Sequence, residues 1–306
     1  MSLYLGIDIG GTKCALLLGD ENGQILHREE WPSHAARGPA AMLADFTSRA
    51  QKLSGFTAAG VSIGGPLDTV RGIVFSPPHL PGWDRFPLKD FLQNALGVPV
   101  FVEHDAAACA LAEYTWGGWG ADARNLIYLT CGTGFGAGIV LDGRIHRGAG
   151  GHSLEAGHAR FAPDGPTAFG KTGSLEAWCS GTALRLLSEW KHGRSLDARA
   201  LAALASQGDE RAREIISLNA RAVGQVCANF ADLLFPDVIV LGSLARHLGD
   251  DWLHQVRAQF TAEAHPAALE RCRLAPAALG DRLQDLSALV TAHQGGTGIS
   301  VCAPKK

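Results

Sequence analysis

Leu3 to Leu18 reads LYLGIDIGGTKCALLL. Tyr4 to Ile9 and Cys14 to Leu18 are short apolar runs, so the stretch predicts two antiparallel strands joined by Gly10, Gly11, Thr12 and Lys13. Glycines lack a Cβ and let backbone N–H groups approach an anion closely. The Thr12 hydroxyl adds a donor, and Asp8 at the end of the first strand is placed to hold a hydrated Mg²⁺. That is the chemistry of a phosphate tail. The pattern is not GxxxxGK[ST] opening a helix, nor GxGxxG between a strand and a helix. A plain tight turn uses glycines too, and the segment alone leaves that reading open.

A second copy changes the weighing. Leu126 to Leu141 reads LIYLTCGTGFGAGIVL: an apolar run with Thr130, then Gly132, Thr133, Gly134, Gly136 and Gly138 through the turn, then another apolar run. Two similar-sized halves that each begin strand, Gly/Thr turn, strand predict two related lobes closing on one polyphosphate.

Composition agrees with such a protein. At 306 residues with 46% hydrophobic residues the chain is long enough for two domains with ample core. Its 27 basic and 30 acidic residues are spread without blocks, for a formal charge of −3, so nucleic acid and anionic membrane are not expected partners. No leader-like start and no apolar run long enough to span a bilayer is seen, which makes a cytoplasmic protein the expectation. Seven cysteines at scattered positions without a CxxC pair fit reduced, packed thiols.

Along the chain, Gln24–Trp31 reads as a third strand and 38–53 as a helix with Met42, Leu43, Phe46, Ala50 and Leu53 on one face. Gly60–Gly65 (GVSIGG) is a strand running into a glycine turn. Ser76–Pro87 (SPPHLPGWDRFP) holds four prolines and predicts an ordered loop, with Trp83 as a candidate substrate wall. Val98–Glu103 reads as a buried strand and Ala106–Trp116 as a helix, which puts Asp105 at an N-cap position. It either caps there or stands as a fixed carboxylate at a cleft. Gly117–Ala121 reads as a hinge. Glu155 and His158 lie close together and form, on their own, no more than a surface pair. Asp209–Phe235 is helical, Val238–Leu241 is a buried strand leading to Gly242 and Ser243, and Asp281–His293 is a last amphipathic helix before a glycine-rich, frayed tail.

The combination of DIGGTK (Asp8–Lys13), HDA (His104–Ala106), the second glycine turn, EAGH (Glu155–His158), GSLE (Gly173–Glu176) and VIVLG (Val238–Gly242) resembles the ROK family of sugar kinases in the actin-like ATPase superfamily, in family order and over most of the chain. The resemblance implies an α/β protein of two lobes, a ribonuclease H-like fold in which each lobe is a mixed sheet flanked by helices and the active site lies in the cleft. The first lobe would comprise 1–118 with a C-terminal helix at about 281–306, and the second 119–280. It further implies an ATP-dependent hexose kinase, with Asp105 as general base on the 6-OH and Mg²⁺ held near Asp8 through water. Gly10, Gly11, Thr12, Lys13, Thr130, Gly132, Thr133 and Gly134 would serve the phosphates, and Gly242 with Ser243 the adenosine. Gly64 and Gly65 would abut the sugar, and Glu155, His158 and Glu176 would accept its hydroxyls. A homodimer is implied as well. The competing class is a sugar-binding regulator or silent sensor. Family repressors carry an N-terminal DNA-binding domain, whereas here the phosphate turn begins at Asp8.

Two departures from the family pattern matter. Most members carry CxCGxxGCxE, three thiolates that complete a structural zinc site with the His of ExGH. The aligned positions here are Thr167, Phe169 and Ser174, so no structural zinc is expected. The loop 161–173 would then be ordered by packing, with Phe169 filling in, and by Pro163 and Pro166. His79 and His104 stand where the family usually has asparagines that touch the sugar. The preferred sugar is therefore expected to differ from plain glucose, with an N-acylated hexosamine, another aldohexose and fructose as candidates, or to be bound less tightly.

Overall fold

Leu3–Ile9 is buried over nearly its whole length, as a strand covered on both faces must be. It is β1 of the computed structural model, which describes residues 2–120 and 122–296. β2 (Lys13–Asp20) returns antiparallel with Cys14 opposite Ile9, and β3 (Ile25–Pro32), alternately half-buried and exposed, forms the sheet edge. After α1 (Gly38–Ala50), β4 (Phe56–Ile63) joins the other side of β1 in parallel. A small sheet of β5 (Leu67–Asp68), β6 (Ile73–Val74) and β7 (Phe86–Pro87) comes next. Then come α2 (Leu88–Leu96), β8 (Val100–His104) parallel to β4, and α3 (Asp105–Trp116).

The main sheet runs β3–β2–β1–β4–β8. Ile9 lies beside Ile63, and Ile63 beside His104. Three parallel strands in that register end on one edge, so Gly10, Gly64 and Asp105 emerge side by side. With strands about 4.8 Å apart, the first and last are separated by roughly 10 Å of backbone. One face buries Leu5, Ile7 and Ile9 against Met42, Leu43 and Phe46 of α1. The other takes the C-terminal helix Leu283–Gly296, which approaches so closely that glycine is required beneath it. A Cβ on Gly60 would stand 2.3 Å from both Ala288 O and Ala292 N.

The chain forms two compact units: Met1–Trp119 with Gly143–Leu154 and Ala278–Lys306, and Gly120–Asp142 with Glu155–Ala277. By sequence alone, 143–154 falls in the second lobe. It belongs to the first because Ser153 N donates to Leu67 O (2.9 Å), Thr69 N donates to Gly151 O (2.9 Å), and Arg147 pairs with Glu103. The expected hinge includes Ala121, and the expected tail runs past 296; both fall outside the described residues.

In the second unit β9 (Leu126–Cys131) and β10 (Phe135–Leu141) form the repeat hairpin. β11 (Arg144–Ile145) lies in the returning segment. β12 (Thr167–Ala168) and β13 (Lys171–Thr172) make a small hairpin, followed by α4 (Leu175–Cys179), α5 (Gly181–His192), α6 (Ala198–Ser206) and α7 (Glu210–Leu234). β14 (Val238–Leu241), α8 (Ser243–His247), α9 (Gly249–Glu263), α10 (Pro266–Arg271) and β15 (Arg273–Pro276) complete it. β14 runs parallel to β9 with Leu241 beside Leu129, so this hairpin, like the first, gives its leading strand a parallel partner. Buried Asn219 of α7 links the helical layer by donating to Trp178 O (2.9 Å) and accepting from Trp252 Nε1 (3.0 Å).

Trp83 differs from expectation. It is fully buried in the first unit's core and packed against Phe86 at 5.4 Å between ring centres, so it offers no face to a substrate. The proline-rich loop folds its indole inward because apolar area gains most from leaving water. Among the described residues, no helix is long and apolar enough to cross a membrane.

Gly60→Ala is expected to destabilise the protein by about 1–3 kcal/mol, the range for overpacking against an unyielding neighbour. A Cβ on Gly64 meets nothing within 4 Å, and Gly64→Ala should stay within about 0.5 kcal/mol of wild type. Urea titration of both variants checks the contrast; equal midpoints would show that the C-terminal helix gives way.

Candidate active site

The first turn closes on itself: Gly10 N donates to Lys13 O at 3.1 Å. Behind it stands Ser33, just past the end of β3 and 2% exposed. Its Oγ donates to Gly11 O (2.6 Å) and its N–H to Thr12 O (2.9 Å). In a trans peptide the carbonyl and the following N–H point in opposite directions. With both carbonyls drawn back to Ser33, the amides of Thr12 and Lys13 point out of the turn.

The second turn repeats this with other parts. Gly132 N donates to Gly134 O at 3.1 Å, Gly132 O accepts from Gly181 N at 2.6 Å, and Thr133 O accepts from Thr182 Oγ1 at 2.7 Å. The amides of Thr133 and Gly134 therefore point away from α5. Thr130 is half-buried on β9, one residue before Cys131, whose carbonyl accepts from Ser243 Oγ at 3.1 Å. Gly242 N donates to Leu129 O (2.9 Å), and a Cβ there would meet Tyr128 Oη at 2.6 Å. Sequence reasoning missed Ser33 and Thr182. Ser33 is an isolated serine after Pro32, and Ser180-Gly181-Thr182 reads as an ordinary helix start, with Ser180 Oγ capping Ala183 N at 2.9 Å.

At the strand ends of the first unit, Asp8 is buried. Burial pushes its carboxyl up to about 7; the Gln284 side chain, donating at 3.1 Å, opposes this, while the nearby Asp105 charge adds to it. Asp105 is not the N-cap of α3; His104 is, without a side-chain cap bond. Asp105 occupies the first helical position, where its carboxylate reaches the adjacent Ala106 N (2.6 Å) and stays 42% exposed. The carboxylate thus satisfies one first-turn amide of α3 from within the helix and keeps its other oxygen free of any such bond. His104 Nε2 lies 3.4 Å from Asp105 Oδ1, and its buried Nδ1 has no partner among the described residues. Behind it, Glu103 accepts from His104 N (3.1 Å) and from Arg147 Nε (3.0 Å).

Two further residues are placed differently from the plain reading. Gly11 lies against the loop before Trp83: a Cβ there would stand 2.6 Å from the Cβ of exposed His79, so the glycine lets the His79 segment pack on the turn. Lys13 pairs with Glu30 at 2.9 Å along the sheet. Gly64 and Gly65 continue β4 into a turn with a cis bond to Pro66.

In the second unit Glu155 and His158 are exposed around the short turn Ala156–His158. Glu176 is buried and accepts from Phe135 N (2.7 Å), next to the glycine turn. Gly157 ties these together, since a Cβ on it would meet Phe135 O at 2.4 Å and Glu176 Oε2 at 3.1 Å. The loop 161–173 is held by hydrogen bonds. Phe161 N and Ala162 N both donate to Gly173 O (2.8 and 3.0 Å), the Thr167 and Thr172 hydroxyls meet at 2.8 Å, and Lys171 Nζ reaches His158 O at 2.5 Å. Phe169 is 56% exposed with φ 45° at the hairpin tip, so it does not fill the loop. Phe161 does, against Trp178 at 5.3 Å. Among the described residues no three His, Cys, Asp or Glu side chains are grouped as a metal site.

Two mixed sheets, each with a parallel partner beside a Gly/Thr hairpin, define the actin-like ATPase class of folds. The chain belongs to the ROK family, whose profile matches residues 4–294. It is 32% identical over 303 residues to a glucokinase of Halalkalibacterium halodurans (91% of each chain). It is 32% identical over 265 residues to an N-acetylmannosamine kinase of Salmonella typhi (86% of this chain, 89% of that one). A solved ROK family glucokinase from Streptomyces griseus, in complex with glucose and AMPPNP, matches with a TM-score of 0.79 at 28% identity, covering 96% of this chain and 100% of that one.

With Thr167, Phe169 and Ser174 at the thiolate positions, the purified protein is expected to carry well under one zinc per chain after chelator dialysis, because neutral hydroxyls are poor zinc ligands. Metal analysis checks this, and near-stoichiometric zinc would locate the ligands elsewhere.

Proposed function

We propose that this protein is an ATP-dependent kinase that phosphorylates a hexose or hexose derivative at the 6-OH. The observation that carries the reading is the pair of Gly-Thr turns whose carbonyls are anchored from behind, a geometry suited to phosphate oxygens. The glucokinase and N-acetylmannosamine kinase relatives support the sugar class, and the AMPPNP complex of the Streptomyces griseus enzyme supports ATP as donor.

In this reading Asp105, half-exposed at the strand edge, takes the proton of the sugar hydroxyl. The oxygen so freed attacks the γ-phosphorus in line, ADP leaves, and the proton stays on the Asp105 carboxylate until product release. Thr12, Lys13, Thr133 and Gly134 give backbone N–H groups to the phosphate oxygens as charge shifts, and Gly10, Gly11, Thr130 and Gly132 shape those turns. Gly242 and Ser243 lie beside the adenosine. Gly64 and Gly65 present backbone to the sugar, and His79, His104, Glu155, His158 and Glu176 are its hydroxyl partners. Asp8 fits Mg²⁺, which takes one or two carboxylates and keeps several waters. It is a buried carboxylate, and a neighbouring cation would favour its charged form. When bound, the ion supplies charge neutralisation on the phosphates.

Asp105→Asn should retain sugar and ATP binding while kcat falls by roughly 10²-fold or more; near-native turnover would exclude Asp105 as the base. Ser33→Ala and Thr182→Ala should each raise the KM for ATP by roughly tenfold, the scale of one lost buried hydrogen bond, and leave that for sugar unchanged. Thr182→Ser should restore it. Equal shifts in both KM values would count against the phosphate assignment.

A further inference from the structure

A cavity of about 330 Å³ opens in the first unit between β8, α3, the C-terminal helix, β11 and the chain after β5. That volume lies at the lower end of the roughly 300–1,000 Å³ typical of small-molecule sites. Phe101, Val102, Leu111 and Ile145 make its walls mostly apolar. Three cations, Lys89, Arg144 and Arg147, line it together with one carboxylate, Glu103.

The charges do not balance. Glu103 is 1% exposed, and Arg147 holds it through Nε and Nη2, both on the same oxygen. That pair is neutral overall. Among the described residues Lys89 Nζ hydrogen-bonds only the carbonyl of Val70, at 3.3 Å. The Arg144 guanidinium has no hydrogen bond or ion pair among the described residues, and neither cation has a carboxylate partner there. Two positive charges are thus left at the rim of an apolar cavity, where low-dielectric walls concentrate their field. An arginine fork and a lysine point charge together match the oxygens of a doubly charged phosphate. Phe101 and Ile145 match an organic body that prefers to leave water.

We propose that this cavity binds a small phosphomonoester, with the phosphate against Arg144 and Lys89 and the organic part against Phe101 and Ile145. The kinase reading uses none of these four residues. The site is separate from the glycine turns, although Glu103 connects its wall to the His104 amide at 3.1 Å.

The test is calorimetric titration of the full-length protein with phenyl phosphate and, separately, with inorganic phosphate, near pH 8 where both are largely doubly charged. Phenyl phosphate is expected to bind once per chain and at least about tenfold more tightly than inorganic phosphate, the difference coming from burial of its ring. Arg144→Gln and Lys89→Gln should each weaken it by about tenfold or more, the scale of one charge-assisted hydrogen bond. Both variants should keep wild-type melting temperature and kinase turnover at saturating substrates. No saturable binding, equal affinity for the two probes, or undiminished binding by either variant would overturn the proposal, the last by placing the ligand outside this cavity.

Discussion

A planar peptide cannot aim its carbonyl and the next amide in the same direction, and both Gly-Thr turns of this protein are built on that constraint. In the first, one residue, Ser33, uses its hydroxyl and its own amide to draw back two consecutive carbonyls. In the second, the Gly181 amide and the Thr182 hydroxyl do the same. The local sequences, GGTK and GTGF, differ, and so do the anchors. What the hairpins share is the direction of their amides, fixed before any ligand arrives. A donor already held in place loses little freedom on binding, which is why pre-set amides stabilise developing charge better than mobile side chains.

The sheet edge imposes a second constraint. β1, β4 and β8 end in register, so Asp8 on β1 and Asp105, just past the end of β8, lie on one edge two strands apart. Their surroundings differ sharply. Asp8 is enclosed and pushed up to about 7, partly by the charge of Asp105. Asp105 is open to solvent at 42%. On the proposed reading the two carboxylates divide their tasks by burial: the enclosed one would gain most from a nearby cation, and the open one would be free to meet a substrate proton. The Glu103–Arg147 pair behind β8 fixes the backbone just before Asp105, and it exists only because Gly143–Leu154 returns to the first unit.

Much of this was legible from local pattern. Apolar runs flanking GGT and CGTG gave both hairpins, and the strand-to-helix change around residue 105 put Asp105 at a strand end. What escaped the sequence were contacts between distant positions. Ser33 gains its role from a turn twenty-odd residues away, and Thr182 from one nearly fifty away, with no spacing rule to mark either. Gly11 carries the same letter whether it admits a phosphate or makes room for His79. Trp83 in a proline-rich loop looks like surface, yet the loop folds it into the core. Period reports which face of an element is apolar, and it says nothing of what covers that face.

The loop 161–173 carries Thr167, Phe169 and Ser174 where the family pattern has thiolates, and a set of hydrogen bonds orders it. The family resemblance implies three thiolates there, and a structural zinc would contribute on the order of 10 kcal/mol to ordering them. Here Gly173 takes two amides on one carbonyl. It can do so because its φ of 66° and the 2.1 Å from its would-be Cβ to Ala162 O exclude any other residue. With a net worth of about 1 kcal/mol each, a handful of hydrogen bonds orders the loop less strongly than a metal would. The consequence falls on His158. Its carbonyl is held by Lys171, but its ring is exposed on the short turn. On the proposed reading, part of the binding energy of the sugar goes into fixing that ring, which costs roughly 0.5–1.5 kcal/mol for a side chain that is not already held.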